Sequence, residues 1–213
     1  MKLYLASASP RRRDLLEQLH IEFEVVSSTY EEHNEQAMNP YELVEAQALG
    51  KALEALIPVT TDSETTEATD TTDTTDTTTA AESKGYIVIG SDTIVAHKGH
   101  VLGKPVDTTE AIQMLKELSG DTHEVVTGVA LCRYDEQHQL VAKEVFHVVT
   151  KVVFYPLTDE EIKTYVATGE PLDKAGAYGI QGQGAYLVER IEGSYTNVVG
   201  LPVEVVARYL RKF

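Results

Sequence analysis

Cysteine is almost absent from the chain. The single thiol, Cys132, excludes an intramolecular disulfide and any CxxC metal site. It accords with a reducing cytoplasm. Basic residues are scarce as well: 18 Lys and Arg stand against 34 Asp and Glu, a formal net charge of −16. General binders of nucleic-acid polymers or anionic membranes need broad positive patches, so the balance argues against both classes. No stretch approaches the ~20 apolar residues of a membrane span. Lys2–Ala8 faintly mimics a signal peptide with an A-x-A end. Its apolar part is far shorter than the ~7–15 residues of an h-region, and Arg11, Arg12 and Arg13 follow on the wrong side. The expectation is a cytoplasmic protein.

What remains is ordinary globular composition, with 42% hydrophobic and 24% charged residues. A length of 213 residues suits one domain, or two lobes around one cleft. One segment stands apart. Residues 60–83 read TTDSETTEATDTTDTTDTTTAAES, with seven of the acids, no base, and no Val, Ile, Leu, Met or aromatic residue. Such a segment cannot bury apolar area against its ordering entropy. It reads as a disordered acidic insertion within a single 1–213 domain, tolerable because loop-closure cost grows only logarithmically.

Elsewhere strand and helix patterns interleave. Leu3–Ala6, Phe23–Val26, Tyr86–Ile89 continued by Ile94–Ala96, and Ala185–Ile191 read as strands. Lys98-Gly99 reads as a hairpin turn. The β-branched runs Glu124–Tyr134 and Val141–Tyr155 read as an antiparallel pair across Asp135–Gln139. Helices are predicted over Pro10–Leu19, Pro40–Leu56, Thr108–Leu118, Thr158–Ala167 and Pro202–Leu210, the fourth opened by a Thr158/Glu161 capping box. The fold class is therefore α/β or α+β around a mixed sheet.

Common nucleotide and hydrolase signatures are missing. There is no GxGxxG, no Walker A loop, no HExxH and no GxSxG. His97 and His100 flank the predicted turn and are expected at the surface.

Five other constellations carry chemistry. In Ser7-Ala8-Ser9-Pro10-Arg11-Arg12-Arg13, Ser9 and Pro10 suit the start of a helix. Three arginines in a first turn oppose the helix dipole, each at roughly 0.3–1 kcal/mol. A bound anion compensates, because a helix N-terminus and arginine both donate to phosphate. Asp92, in Gly90-Ser91-Asp92-Thr93, sits amid the apolar run YIVIGSDTIVA, where a carboxylate is costly unless paired, metal-bound or catalytic. In Gly103-Lys104-Pro105 the lysine suits a phosphate if it lies beside Asp92. In Asp173–Gly182 the glycines permit close backbone approach, Lys174 brings charge, and Gln181 offers a donor and an acceptor to a base edge. The Glu31-Glu32 pair precedes the helix holding Lys51 and means little alone.

Together LASASPRR (Leu5–Arg12), GSDTIV (Gly90–Val95), LGKP (Leu102–Pro105), DKAGAYGIQG (Asp173–Gly182) and NVVGLP (Asn197–Pro202) resemble the Maf family of nucleoside triphosphate pyrophosphatases. The resemblance covers nearly the whole chain outside 60–83. It implies a two-lobed mixed-sheet fold around a deep cleft, shared with inosine triphosphate pyrophosphatases, and a homodimer. It implies hydrolysis of a nucleoside triphosphate to monophosphate and pyrophosphate with Mg²⁺ or Mn²⁺. The family's catalytic aspartate falls on Asp92. Its acidic partner falls on Glu32, next to Glu31, in a Tyr-Glu-Glu-His run where many members carry Asp-Glu-Ser. Both carboxylates are the implied metal ligands. Phosphate-binding positions fall on Ser7, Arg12, Lys51, Lys104 and Lys174, and substrate-selecting positions on Arg11, Thr93 and Gln181. The last two resemble the branch acting on dTTP and UTP rather than 7-methyl-GTP.

The resemblance leaves two other functions to weigh. One is a broader house-cleaning pyrophosphatase for non-canonical nucleotides. The other is a non-catalytic nucleotide-binding regulator of cell division. The intact motif set favours hydrolysis of dTTP and UTP, with Asp92 taking the proton of the attacking water and Arg12, Lys104 and Lys174 stabilising phosphate charge.

Overall fold

A computed structural model describes residues 1–32, 39–58 and 85–213. The expected disordered insertion at 60–83 lies outside the described residues. The chain builds a seven-stranded mixed sheet. Its elements run β1 (Lys2–Ala6), α1 (Pro10–Glu17), β2 (Glu24–Val26), α2 (Pro40–Leu53), β3 (Tyr86–His97), β4 (His100–Leu102) and α3 (Thr108–Leu118). Then follow β5 (Thr122–Tyr134), β6 (Leu140–Phe154), α4 (Asp159–Ala167), β7 (Val188–Glu192), α5 (Tyr195–Val199) and α6 (Val203–Leu210). Three 3-10 turns, Glu170–Asp173, Ala175–Ala177 and Gly182–Leu187, link α4 to β7.

The strand order is β2-β1-β3-β5-β6-β7, with β4 pairing β3. β1 is parallel to β2 and β3, and the other pairings are antiparallel. Period-two alternation divides β1, β3 and β5 between two faces. Leu3, Leu5, Ile87, Ile89, Val129 and Leu131 meet α1 and α6 through Leu15, Leu16, Val203 and Val206. Tyr4, Ala6, Val88, Ala130 and Cys132 meet Ala48 and Ala52 of α2. A separate core forms the second lobe, where Leu115 and Leu118 of α3 and Ile162 and Tyr165 of α4 pack on Val125, Val152 and Phe154.

Two glycines determine how closely α2 approaches the sheet. A Cβ at Gly90 would collide with the Ala48 carbonyl oxygen, and one at Gly128 with that of Val44. The helix therefore lies directly on β3 and β5, which brings Lys51 over the middle of β3.

The site arises where the sheet splits. β3 pairs with β1 only as far as Gly90, opposite Ala6, and meets β4 only from Val95 onward. Ser91–Ile94 thus has no strand neighbour on that side among the described residues. Asp92 lies in the gap, beside the chain leaving the carboxyl end of β1. Open α/β sheets bind ligands in such crevices.

Several elements differ from the sequence expectation. Tyr86–His97 is one unbroken strand, because β5 pairs with it through Gly90, Ser91 and Asp92. α2 stops at Leu53, and Ala55 forms an isolated antiparallel bridge with Ser28. Residues 182–187 are a 3-10 turn rather than the start of a strand. The five-residue α5 was not expected. His97 is not a surface residue: as the last residue of β3 it is buried, with Nδ1 2.8 Å from Glu117 and Nε2 3.1 Å from Asp121. The Thr158/Glu161 capping box is present, and Lys98-Gly99 turns β3 into β4.

Candidate active site

A cleft of ≈ 1680 Å³ opens between the lobes, and all ten candidate site residues line it. Ser7, Arg11 and Arg12 come from the β1–α1 junction. Asp92 and Thr93 come from the gap in β3, and Glu32 and Lys51 from the chain before α2 and from α2 itself. Lys104 follows β4, and Lys174 and Gln181 lie on the linker between α4 and β7.

The three arginines of α1 separate by direction. Arg12 turns inward. Its Nε donates to Gly200 O at 2.8 Å, Nη2 to Thr93 Oγ1 at 2.9 Å and Nη1 to Ser7 Oγ at 3.4 Å. Burial draws its pKa down from the ordinary guanidinium value, opposed by the charges of Asp92 and Glu32. Arg11 reaches across the cleft, with Nη1 3.8 Å from Asp173 Oδ2. Arg13 stays on its own helix beside Asp14 and Glu17. Ser9 occupies the N-cap position but its side chain makes no cap bond, and its backbone N–H turns back to Ser7 Oγ at 3.3 Å.

Gly200, at φ +131°, ends α5 and leaves its carbonyl facing Arg12. α5 is held by a buried polar chain. Thr93 Oγ1 lies 3.0 Å from Thr127 Oγ1, which donates to Asn197 O at 3.1 Å. Asn197 Nδ2 donates to Val125 O and to Thr150 Oγ1, both at 3.0 Å. Sequence reasoning assigned no role to Gly200, Thr127 or Asn197, although two of them belong to NVVGLP. Thr93 was expected to read the base. With Arg12, Thr127 and the Gly200 carbonyl around it, its single hydroxyl is occupied within the protein.

On the other side of β3, the lysine that meets Asp92 is Lys51, not Lys104. Lys51 Nζ lies 2.7 Å from Asp92 Oδ1 and 2.6 Å from Glu32 Oε1. Burial pushes the Glu32 carboxyl up. The hydrogen bond and charge of Lys51, with the charges of Lys104 and Arg12, outweigh this and hold it below the usual carboxylate range. No cluster of three or more His, Cys, Asp or Glu ligands converges among the described residues, so they form no all-protein metal cage. The donor set does fit Mg²⁺ or Mn²⁺ at a phosphate site. Asp92 and Glu32 both line the cleft and both meet Lys51 Nζ, and such ions commonly take one or two carboxylates alongside substrate phosphates and water.

The far wall is built differently. Lys174 Nζ donates to Asp173 Oδ1 and to the Glu170 carbonyl, each at 2.7 Å. Gly176 has φ +66° and Gly182 φ +70°. Tyr178 is buried, and its hydroxyl lies 2.7 Å from His123 Nε2. Burial pulls the His123 imidazole down to about 3, so the ring is neutral near pH 7. Gln181 is exposed to the cleft.

Comparison with known proteins bears on the chain as a whole. The family model described as "Maf: Maf-like protein" matches residues 2–213. A protein of Geobacter sulfurreducens named "dTTP/UTP pyrophosphatase" is 46% identical over 212 residues, covering 99% of this chain and 96% of its own length. Proteins of the same name from Carboxydothermus hydrogenoformans and Symbiobacterium thermophilum are 45% and 46% identical, each covering 100% of this chain and 99% and 94% of their own length. A cleft at the split of a mixed sheet, lined by all five motifs, and a match over nearly every residue identify the chain as a member of the Maf family.

Proposed function

We propose that the protein hydrolyses dTTP and UTP to their monophosphates and pyrophosphate, with modified pyrimidine triphosphates as further substrates. One observation carries the reading. Four cationic side chains, Arg12, Lys51, Lys104 and Lys174, converge with Asp92 and Glu32 on one cleft, in a chain of net charge −16. Such a local reversal of sign suits a small polyanion. The relatives' names indicate which polyanion.

In this mechanism a water lies against Asp92. The carboxylate takes its proton as the water oxygen bonds to the α-phosphorus. The α–β phosphoanhydride breaks, and pyrophosphate leaves with the bonding electron pair. Lys51 holds Asp92 and Glu32 in register on the same side of the cleft. Arg12, fixed by three hydrogen bonds, offers a positioned charge to the phosphates, and Ser7 supports it. Lys104 and Lys174 approach from the opposite lobe. Preorganised donors of this kind carry most of the stabilisation in phosphoryl chemistry. Asp92 and Glu32 are the residues that would hold Mg²⁺ or Mn²⁺, which supplies Lewis-acid polarisation of phosphate oxygens.

Selection of the base falls to Gln181 and Arg11 at the outer cleft, with Thr93 contributing through Arg12. A homodimer and a cytoplasmic location complete the proposal. The homodimer rests on the family resemblance and the cytoplasmic location on the single thiol, Cys132, and sedimentation velocity would test the first. The decisive assay is a pyrophosphate-release screen over canonical and modified nucleoside triphosphates with Mg²⁺ and Mn²⁺. UTP and dTTP are expected to lead. A preference for purine triphosphates, or binding without release, would overturn the reading.

A further inference from the structure

The linker between α4 and β7 carries Lys174 and Gln181 and is built of 3-10 turns rather than longer helix or strand. What shapes it is one carboxylate. Glu170 Oε1 accepts from the Tyr165 hydroxyl at 2.9 Å and from the Gly184 N–H at 3.3 Å. Its Oε2 accepts from the Gln183 N–H at 3.1 Å. The Tyr165 hydroxyl in turn accepts from the Gly179 N–H at 3.0 Å. Gln181 is therefore bracketed on both sides, at 179 and at 183–184, by backbone groups tied to this carboxylate and its tyrosine. The fit is close: a Cβ at Gly182 would lie 2.9 Å from Glu170 Oε2. Tyr165 is 1% exposed and belongs to the core of the second lobe, so the frame is anchored in packed structure.

We infer that Glu170, with Tyr165, is a positioning residue for base selection, holding the backbone around Gln181 so that its amide meets the pyrimidine edge in one orientation. Glu170 touches no reacting atom in this account. Its effect reaches the substrate through Gln181. A carboxylate suits the task because its two oxygens accept several bonds at once and it needs no donor of its own. Glu170→Gln would place an amide NH₂ against backbone N–H groups. The inference rests on the proposed pyrimidine triphosphate hydrolysis, so its test needs one arm that does not depend on turnover.

That arm is amide hydrogen exchange of residues 179–184 in the full chain. In Glu170→Gln, exchange there is expected to rise at least about tenfold over wild type, while the amides of β3 and β5 stay protected. The second arm compares kcat/KM for UTP, CTP and GTP. The ratio favouring UTP should fall by about two- to tenfold, no further than in Gln181→Ala, with the loss carried by KM rather than by kcat at saturating UTP. Tyr165→Phe, which removes the Gly179 link, should act in the same direction more weakly. It decides the matter if Glu170→Gln does not fold. Unchanged exchange at 179–184 overturns the frame, and an equal loss on all three nucleotides overturns the selection role. Wild-type protein without pyrimidine preference would instead defeat the proposed function, while the exchange result would still report on the frame.

Discussion

The two walls of the cleft are made of different material. One wall is sheet and helix. Asp92 sits in a strand paired with β5, Lys51 rides on a helix pressed against two glycines, and Arg12 is fastened by three hydrogen bonds. The other wall is a chain of 3-10 turns with glycines at positive φ, held by the Glu170 carboxylate and the buried Tyr165 and Tyr178. The difference teaches a division of labour. Asp92 and Lys51, which face the attacking water, need fixed geometry, because misplacement of about 1 Å costs large factors in rate. Groups that select a base can lie on a shaped loop, where each contact is worth less.

The sharpest way to break this comparison is Asp92→Asn. Loss of a positioned base should lower kcat by about 10²–10⁴-fold on every triphosphate, with unfolding temperature almost unchanged. Retained turnover in folded protein would remove Asp92 from the chemistry.

Lys51→Met should act next most strongly. It leaves Asp92, which is 6% exposed, without its ammonium partner, and lets the Glu32 carboxyl rise toward its ordinary value. Glu32 is held low in the folded protein. Its contribution to stability is therefore present above its unfolded pKa and lost as pH falls through the folded value. The group is half exposed, so that contribution is small. The clearer readout is the acid limb of kcat/KM, which should move to higher pH in the variant. An acid limb in the wild-type position would contradict the role given to Lys51.

Gly128→Ala tests the rigid wall without touching substrate. Its Cβ meets backbone of α2, and overpacking of this kind typically costs about 1–3 kcal/mol. Thermal unfolding would show it as a lowered Tm. Stability equal to wild type would mean that α2 can move off the sheet freely.

Gln181→Ala sharpens the other side. Loss of one exposed hydrogen-bonding side chain should cost about two- to tenfold in preference for UTP and dTTP, and little in kcat. The smallest effect is expected from deleting residues 60–83. Their composition includes no Val, Ile, Leu, Met or aromatic residue to bury, and shortening a connection changes closure entropy only slowly. Turnover and Tm should both stay near wild type.

Much of the rigid wall was legible in sequence. An aspartate inside YIVIGSDTIVA is conspicuous because burial of a charge needs a reason, and Arg11–Arg13 oppose a helix dipole. Eight of the ten candidate residues belong to the five motifs, and all ten line one cleft. What could not be read was which partner each charge takes. Lys51 lies 41 positions from Asp92, and only the close approach of α2 allowed by Gly90 and Gly128 brings them together. The interval left between Tyr86–Ile89 and Ile94–Ala96 closed for a similarly long-range reason, since pairing with β5 carries the strand through. The turn-rich wall was least legible. Residues 185–187 have the apolar content of a strand start, but they belong to a 3-10 turn whose backbone N–H groups at 183 and 184 Glu170 draws inward. His97 was misplaced because a predicted turn suggests solvent, whereas α3 supplies the carboxylate that receives it.

The central claim assigns proton transfer to Asp92 on one wall and recognition of the base to Gln181 on the other. Steady-state pyrophosphate release from UTP and GTP by Asp92→Asn and Gln181→Ala, measured side by side, tests it most directly. Asp92→Asn should lose kcat on both nucleotides and keep their ratio of kcat/KM. Gln181→Ala should keep kcat and lose the ratio. A changed ratio in Asp92→Asn, or a loss of kcat in Gln181→Ala as large as that in Asp92→Asn, would contradict the account.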